Sequence, residues 1–233
     1  MNDWLHRSEL LLGKNAMQKL AGSCVAVFGI GGVGSYAAES LARSGIGKLV
    51  LIDYDIIDVT NINRQVHATS KTIGMSKVDA MKNRLIEINP NIEIVSYNLK
   101  YTYYTSDRFC FEDYDYVIDA VDMVSSKIEL VKNAKKMGIP IISSMGAGNK
   151  LNPAEFLVSD IYETKICPLA RVMRHELRKI GISDLKVVYS QEEPIKTSLM
   201  DRSNKKLIPG SVSFVPPVVG LVISSEVVKD LIK

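Results

Sequence analysis

Val25-Ala26-Val27-Phe28-Gly29-Ile30-Gly31-Gly32-Val33-Gly34 runs from a β-branched apolar stretch directly into a glycine turn, and amphipathic sequence follows it. That order places a strand, then a tight turn whose backbone can approach a phosphate, then a positively polarised helix N-terminus. Asp53 closes the next apolar run, Lys48 to Ile52, 19 residues after Gly34. A carboxylate there can accept both hydroxyls of a ribose. The pair of signals points to an adenine nucleotide.

Further short β-rich runs at Ile92 to Ser96, Tyr116 to Asp119 and Pro140 to Ser143 alternate with helical patterns. From Ser76 to Ile88, Val78, Met81, Leu85 and Ile88 recur at helical spacing and Asn89-Pro90 stops the run. A second helix is expected from Ser125 to Met137, ended by Gly138. The alternation predicts an α/β, Rossmann-like, mostly parallel sheet with helices on both faces. Beyond Gly148 the pattern changes to a C-terminal strand and helix elaboration. It comprises a strand at Phe156 to Val158, a basic helix at Pro168 to Lys179, a strand at Lys186 to Tyr189 and a polar loop from Gln191 to Pro209. A last helix opening near Pro217 is expected to bury Val218, Leu221, Val222, Ser225 and Val228. The organisation expected is one domain over 1–233, with a nucleotide-binding core at about 21–148 and the elaboration at 149–233.

The chain has 233 residues, 46% of them apolar, with Lys+Arg 29 against Asp+Glu 26. A net charge of +3 neither requires nor excludes an acidic partner. Cys24, Cys110 and Cys167 form no CxxC pair, so neither a disulfide framework nor a structural zinc is expected. The apolar run Leu10 to Leu12 is too short for a signal peptide or a membrane span. A cytoplasmic protein with no membrane association is expected.

Residues beyond Asp53 narrow the nucleotide. Neither Gly13-Lys14 nor Gly47-Lys48 precedes Ser or Thr, so no P-loop of the usual kind exists. Thr60-Asn61-Ile62-Asn63-Arg64-Gln65 and Gly74-Met75-Ser76-Lys77 supply a guanidinium fork and a point charge, two ways to hold phosphoryl oxygens. Cations at these places suit a triphosphate better than hydride transfer. Asp119-Ala120-Val121-Asp122 ends a strand at the carboxyl edge of the sheet, where a carboxylate can hold Mg²⁺.

GIGGVGS, LIDYD, TNINRQ, GMSK and the DAVD strand end resemble, in order and spacing, the ubiquitin-activating-enzyme superfamily, whose simplest members adenylate a carboxylate with ATP. The resemblance implies that Gly29, Gly31, Gly32 and Gly34 line the nucleotide and that Asp53 and Asp55 belong to its binding set. It further implies that Asn61 and Arg64 contact phosphates, that Lys77 neutralises charge at the α-phosphate and that Asp122 holds Mg²⁺. Arg7-Ser8-Glu9-Leu10-Leu11-Leu12-Gly13 resembles the segment whose arginine reaches the neighbouring subunit's phosphates, which implies a homodimer with Arg7 acting in trans. Within the superfamily, TNINRQVHAT, SSMGAGNKL, DIYETKICPLARVMR and GSVSFVPPVVGL are similar to the dehydratases that cyclise threonylcarbamoyladenosine at position 37 of tRNA. That similarity implies tRNA as substrate and a cysteine-desulfurase or sulfur-acceptor system as a partner. The nearest rival is activation of the C-terminal glycine of a sulfur-carrier protein. An NAD(P)-dependent oxidoreductase and a non-catalytic nucleotide-binding scaffold are the rivals of other classes.

Cys167 precedes Pro168 at a helix start, where the dipole favours a thiolate, so it is a candidate thiol, with packing or capping as its simpler role. Cys24 and Cys110 read as small core residues. Arg171, Arg174, His175 and Arg178 share one helical stripe that could track tRNA phosphates or merely face water, and Lys132, Lys135, Lys136, Arg202, Lys205 and Lys206 could extend it. His67 reads as a hydrogen-bonded structural histidine and His6 as a surface residue. Tyr101-Thr102-Tyr103-Tyr104 offers stacking planes for a base, with a β-rich edge or loop as the alternative.

Overall fold

The computed structural model describes residues 3–196 and 209–233. Helices α1 (His6–Leu12) and α2 (Lys14–Gly22) lead into β1 (Cys24–Phe28), α3 (Gly34–Arg43), β2 (Lys48–Ile52), α4 (Lys77–Ile88) and β3 (Glu93–Tyr97). Then follow β4 (Tyr116–Asp119), α5 (Val124–Met137), β5 (Ile141–Ser144), β6 (Phe156–Asp160), α6 (Pro168–Lys179), β7 (Lys186–Ser190) and α7 (Val215–Leu231). The strands form one sheet in the order β3-β2-β1-β4-β5-β7-β6. Every pairing is parallel except β6 with β7. The chain therefore reverses its direction of travel across the sheet between β1 and β4, leaving a crevice above their carboxyl ends.

Strand alternation sorts the core into two layers. Val25, Val27, Leu49, Leu51 and Ile118 face one side, where α3, α4 and α7 contribute Leu41, Met81, Val219 and Ile223. Ala26, Phe28, Val50, Ile52 and Val117 face the other, against Leu130, Val131, Met173 and Leu177 of α5 and α6. Both faces of β1 are thus buried, which is why its sequence is continuously apolar.

The expected strands and helices appear with small shifts. Ile92 is not in β3, because its N–H turns back to the Asn89 carbonyl; pairing begins with Glu93 opposite Lys48. Pro140 lies outside β5 and offers only its carbonyl, to Val117 N–H. Tyr101 to Tyr104 does not form a strand. Thr102 and Thr105 close a reciprocal cap that starts a 3₁₀ helix at Tyr103–Arg108. Cys24 is buried as expected, whereas Cys110 is exposed, held at the surface by a turn that directs its neighbours Phe109 and Phe111 inward. Arg202, Lys205, Lys206 and most of the expected polar loop at 191–209 lie outside the described residues.

The buried face of α7 is rotated from the one expected. Val215, Val219, Ile223 and Val227 are buried, while Leu221 is 48% exposed and Ser225 faces solvent. α7 is apolar on most sides, so periodicity alone cannot choose a face. Close approach to α3 chooses it: a Cβ on Gly220 would lie 2.3 Å from the Val33 carbonyl oxygen, and Ser224 Oγ donates to Ser40 Oγ at 2.7 Å. Only the face carrying Gly220 and Ser224 fits against α3.

Candidate active site

The glycine turn joins β1 to α3 at the crevice. Gly29 adopts φ +88°, open to glycine with little strain, and a Cβ there would meet the Ala120 carbonyl oxygen at 2.5 Å. A Cβ on Gly34 would lie 1.8 Å from the Gly29 carbonyl oxygen, so that glycine lets α3 start immediately under the turn. Gly31 differs: its Cβ would meet no protein atom within 4 Å. The missing side chain there leaves room for a ligand rather than for the fold.

Around this turn lies a cavity of about 420 Å³, within the usual range for small-molecule sites. Its lining brings together Gly29, Gly31, Gly32, Asp53, Asp55, Asn61, Arg64, Lys77 and Asp122. Tyr54, Gln65, Lys100 and Tyr101 also line it, and no residue pattern singles out Gln65 or Lys100 as wall residues. From the C-terminal elaboration come Pro209, Gly210, Ser211 and Pro216, so the last quarter of the chain closes one wall.

Asp53 is buried at the end of β2. Its Oδ2 accepts the Ile30 N–H at 2.6 Å and its Oδ1 accepts the Asp55 N–H at 2.9 Å. Burial raises its pKa above the usual carboxylate range, opposed by nearby Lys77 and by those two N–H groups. Each oxygen retains a second lone pair with which to accept from a ribose hydroxyl.

Lys77 opens α4, and its ammonium is buried against Asp55 Oδ2 at 2.6 Å. Asp55 is the more exposed partner, so an arriving phosphate can take the ammonium while water solvates the carboxylate. Arg64 Nη1 donates to the Thr60 carbonyl and to Asn63 Oδ1, both at 2.8 Å, which fixes the guanidinium, while the Cγ of the same side chain lies against Gly32 at the cavity wall. Asn61 closes the turn beneath it, its Oδ1 accepting the Asp58 N–H at 3.0 Å. Asp122 is exposed at the opposite rim.

A buried charge network fixes that rim. Lys127 Nζ donates to Asp119 Oδ2 at 3.0 Å, to Ser143 Oγ at 3.2 Å and to the Ser144 carbonyl at 2.8 Å. Asp119 Oδ1 in turn accepts the Val121 N–H at 3.3 Å, tying the network to the loop that carries Asp122. Lys127 is 1% exposed and Asp119 is fully buried. Asp119 belongs to a sequence motif but Lys127 to none, because one ends β4 and the other lies on α5, and no residue spacing signals a pair between a strand and the helix that follows it.

Arg7 lies exposed on α1 and does not line the cavity; the neighbouring Leu5 packs on Gly45, at the opposite edge of the sheet. Cys167 is 2% exposed within the core layer beneath α6, which favours the packing role over an accessible thiol. The basic stripe on α6 is engaged in part: Arg174 donates to the carbonyl and hydroxyl of Thr164, and Arg178, though exposed, lies 5.0 Å from the Tyr162 ring centre, while His175 is exposed. Arg171 remains exposed. Lys132 and Lys135 pair with Glu129 and Asp184.

His67 departs from expectation. It is 2% exposed, and neither ring nitrogen has a hydrogen-bond partner. Burial, reinforced by Lys77 and Arg84, lowers its pKa to about 4. Between pH 4 and 6.5 the unfolded chain therefore binds a proton that the native state refuses, so stability rises with pH across that window and is lost as pH falls through it. His67→Leu should stay within about 1 kcal/mol of wild type at pH 7, because an unpartnered polar ring is replaced by an apolar group. It should also remove about 3 kcal/mol of the stability change between pH 7 and 4. Urea unfolding at both pH values reads this, and an unaltered pH slope in the variant would contradict it.

The ThiF family matches residues 5–233. The chain is 46% identical to the tRNA threonylcarbamoyladenosine dehydratase of Bacillus subtilis, over 97% of this chain and 94% of that protein. It superposes on the crystal structure of the Escherichia coli tRNA N6-threonylcarbamoyladenosine dehydratase in complex with ATP with TM-score 0.89 and 32% identity, over 99% of this chain and 96% of that one. Similarity to an adenylyltransferase and sulfurtransferase of Vanderwaltozyma polyspora is 34% and spans 59% of this chain and 31% of that protein. A seven-stranded sheet built around a glycine turn, with the match running through the C-terminal elaboration, leads to one family assignment: the chain belongs to the ThiF family.

Proposed function

We propose that the protein is an ATP-dependent tRNA threonylcarbamoyladenosine dehydratase. One observation carries the reading: a cavity uniting a glycine turn, a ribose carboxylate and two fixed cations is closed by the same C-terminal segment through which the match to the dehydratases extends.

A carboxylate is a poor electrophile because its charge repels nucleophiles and its leaving group would be oxide. In the proposed first step a carboxylate oxygen of the threonylcarbamoyl group attacks the α-phosphorus of ATP, and the bond to the β-phosphate oxygen breaks to release pyrophosphate. A nitrogen or oxygen of the same modified base then attacks the acyl carbon, loses its proton and expels AMP. The carboxylate loses one oxygen to AMP, so the base has lost the elements of water. No side chain need act as nucleophile, and the protein's part is positioning and charge stabilisation. Asp53 orients the ribose, the glycine turn and the first N–H groups of α3 receive phosphate oxygens, and Lys77 and Arg64 stabilise the charge that develops on them.

Mg²⁺ fits this donor set. No group of three or more metal-ligating side chains exists among the described residues, yet Mg²⁺ on a nucleotide needs only one or two carboxylates beside the phosphates. Asp122 would hold it, and the ion would neutralise charge on the departing pyrophosphate. Arg7 is proposed to reach the phosphates of a partner subunit: it is exposed, it lies off its own cavity, and Leu10 and Leu11 beside it are 74% and 85% exposed, an apolar surface suited to a second copy.

Incubation with ATP and tRNA bearing linear threonylcarbamoyladenosine should reduce the mass of the modified nucleoside by one water. ATP–pyrophosphate exchange should require the same tRNA. Exchange driven instead by a sulfur-carrier protein, with the tRNA inert, would replace this reading with its rival.

A further inference from the structure

Two adjacent tyrosines stand out on this surface. Tyr103 and Tyr104 are 67% and 87% exposed, on a segment whose backbone is otherwise firmly held. The preceding Tyr101 is buried, its ring 4.9 Å from that of Phe28, and its carbonyl accepts the Ser126 hydroxyl at 2.6 Å. Thr102 and Thr105 cap the turn reciprocally. Packing therefore fixes the tyrosine backbones but leaves their rings in water, where an apolar ring contributes nothing to folding.

The rings stand at 82° to each other with centres 5.5 Å apart, so they present planes in two directions. Lys132 Nζ, which also pairs with Glu129, sits 5.7 Å from the Tyr103 ring centre. The pattern repeats closer to the cavity. Tyr54, 49% exposed and itself a wall residue, has Lys100 Nζ 5.0 Å from its ring centre. Leu99, Lys100 and Tyr101 line the cavity, so the chain passes from the wall to the exposed rings within two residues.

Aromatic planes interleaved with lysines and continuous with a nucleotide cleft have the chemistry of a single-stranded nucleic-acid platform. We propose that Tyr103 and Tyr104 stack the unpaired nucleotides flanking the modified base, with Lys132 and Lys100 beside the connecting phosphates. This inference rests on the proposed function and deepens it. A base can enter the cavity only by leaving its neighbours in the loop, and each neighbour then lacks one stacking partner. The tyrosines replace that partner in a sequence-tolerant way, because every base has a π-face. They are specificity and positioning residues and touch no reacting atom.

Steady-state kinetics of wild type, Tyr103→Ala, Tyr104→Ala and the double variant on tRNA bearing linear threonylcarbamoyladenosine test the inference. The KM for tRNA should rise roughly tenfold per ring, equivalent to about 1.4 kcal/mol, with kcat nearly unchanged. ATP affinity by calorimetry and thermal stability should match wild type. Tyr→Phe at both positions should restore the KM, whereas Tyr→Leu should not. An unchanged tRNA KM in the double variant overturns the platform, as does a loss confined to kcat. A fall from dimer to monomer in sedimentation with tRNA KM intact would assign the rings to a subunit interface and equally overturn it. If wild type binds this tRNA without dehydrating it, the proposed function fails; the platform then stands or falls on anisotropy, where the double variant should still weaken tRNA binding roughly 100-fold.

Discussion

Lys127→Met should destabilise the protein by about 3–5 kcal/mol, the usual consequence of leaving one member of a buried ion pair without its partner. Asp119 is fully buried and would lose the ammonium 3.0 Å from its Oδ2. Ser143, which donates to the same oxygen, would be its remaining side-chain donor. The effect belongs to the uncompensated charge rather than to lost packing, since Met has much the same length. Adding Asp119→Asn to Lys127→Met should therefore recover much of the loss, and urea unfolding of the two variants measures it. A double variant no more stable than the single one would show that volume, not charge, governs the site. The network also holds the loop bearing Asp122 through the Val121 N–H, so the single variant should lose adenylation even at temperatures where it is folded.

Lys77→Met should lower the rate of ATP–pyrophosphate exchange by about 10² to 10³, the effect of removing one preorganised charge from a developing oxyanion. Stability should change far less than in Lys127→Met, because the partner left behind, Asp55, has a side chain 43% exposed that water can solvate. Lys77→Arg should not restore the rate. The ammonium sits in a buried site 2.6 Å from Asp55, and a planar fork needs more room and different angles. Exchange within tenfold of wild type in Lys77→Met would remove this residue from the charge-stabilising set.

Much of the architecture was legible in residue order. The run from Val25 to Gly34 specified strand, turn and helix because each step has its own local physics: continuous burial on both faces, a positive φ at Gly29 and a helix that must start without a Cβ at Gly34. Asp53, Lys77 and Asp122 were legible as neighbours because they follow strand ends or open a helix on one sheet edge, and parallel strand order brings such positions together, whereas Arg64 reaches the same cavity from the turn before α4. Where the reading failed, the missing information was non-local. His67 was expected to have a partner, since most buried polar groups do, and no local pattern reveals that packing denies it one. Arg174 and Arg178 formed a basic stripe by spacing, but Thr164 and Tyr162, from another segment, engage them.

By itself, then, the sequence determined the βαβ frame, the sheet edge at which the cavity opens and the residue types gathered there. These depend on backbone geometry and short-range periodicity, which neighbouring residues carry. Tertiary structure alone decided which face of α7 is buried, which cations are already paired, that Lys127 lies under Asp119, and that two tyrosines beside the cavity remain in water. Those outcomes turn on distances between segments far apart in the chain, where a clash at Gly220 or a single buried charge outweighs any local preference.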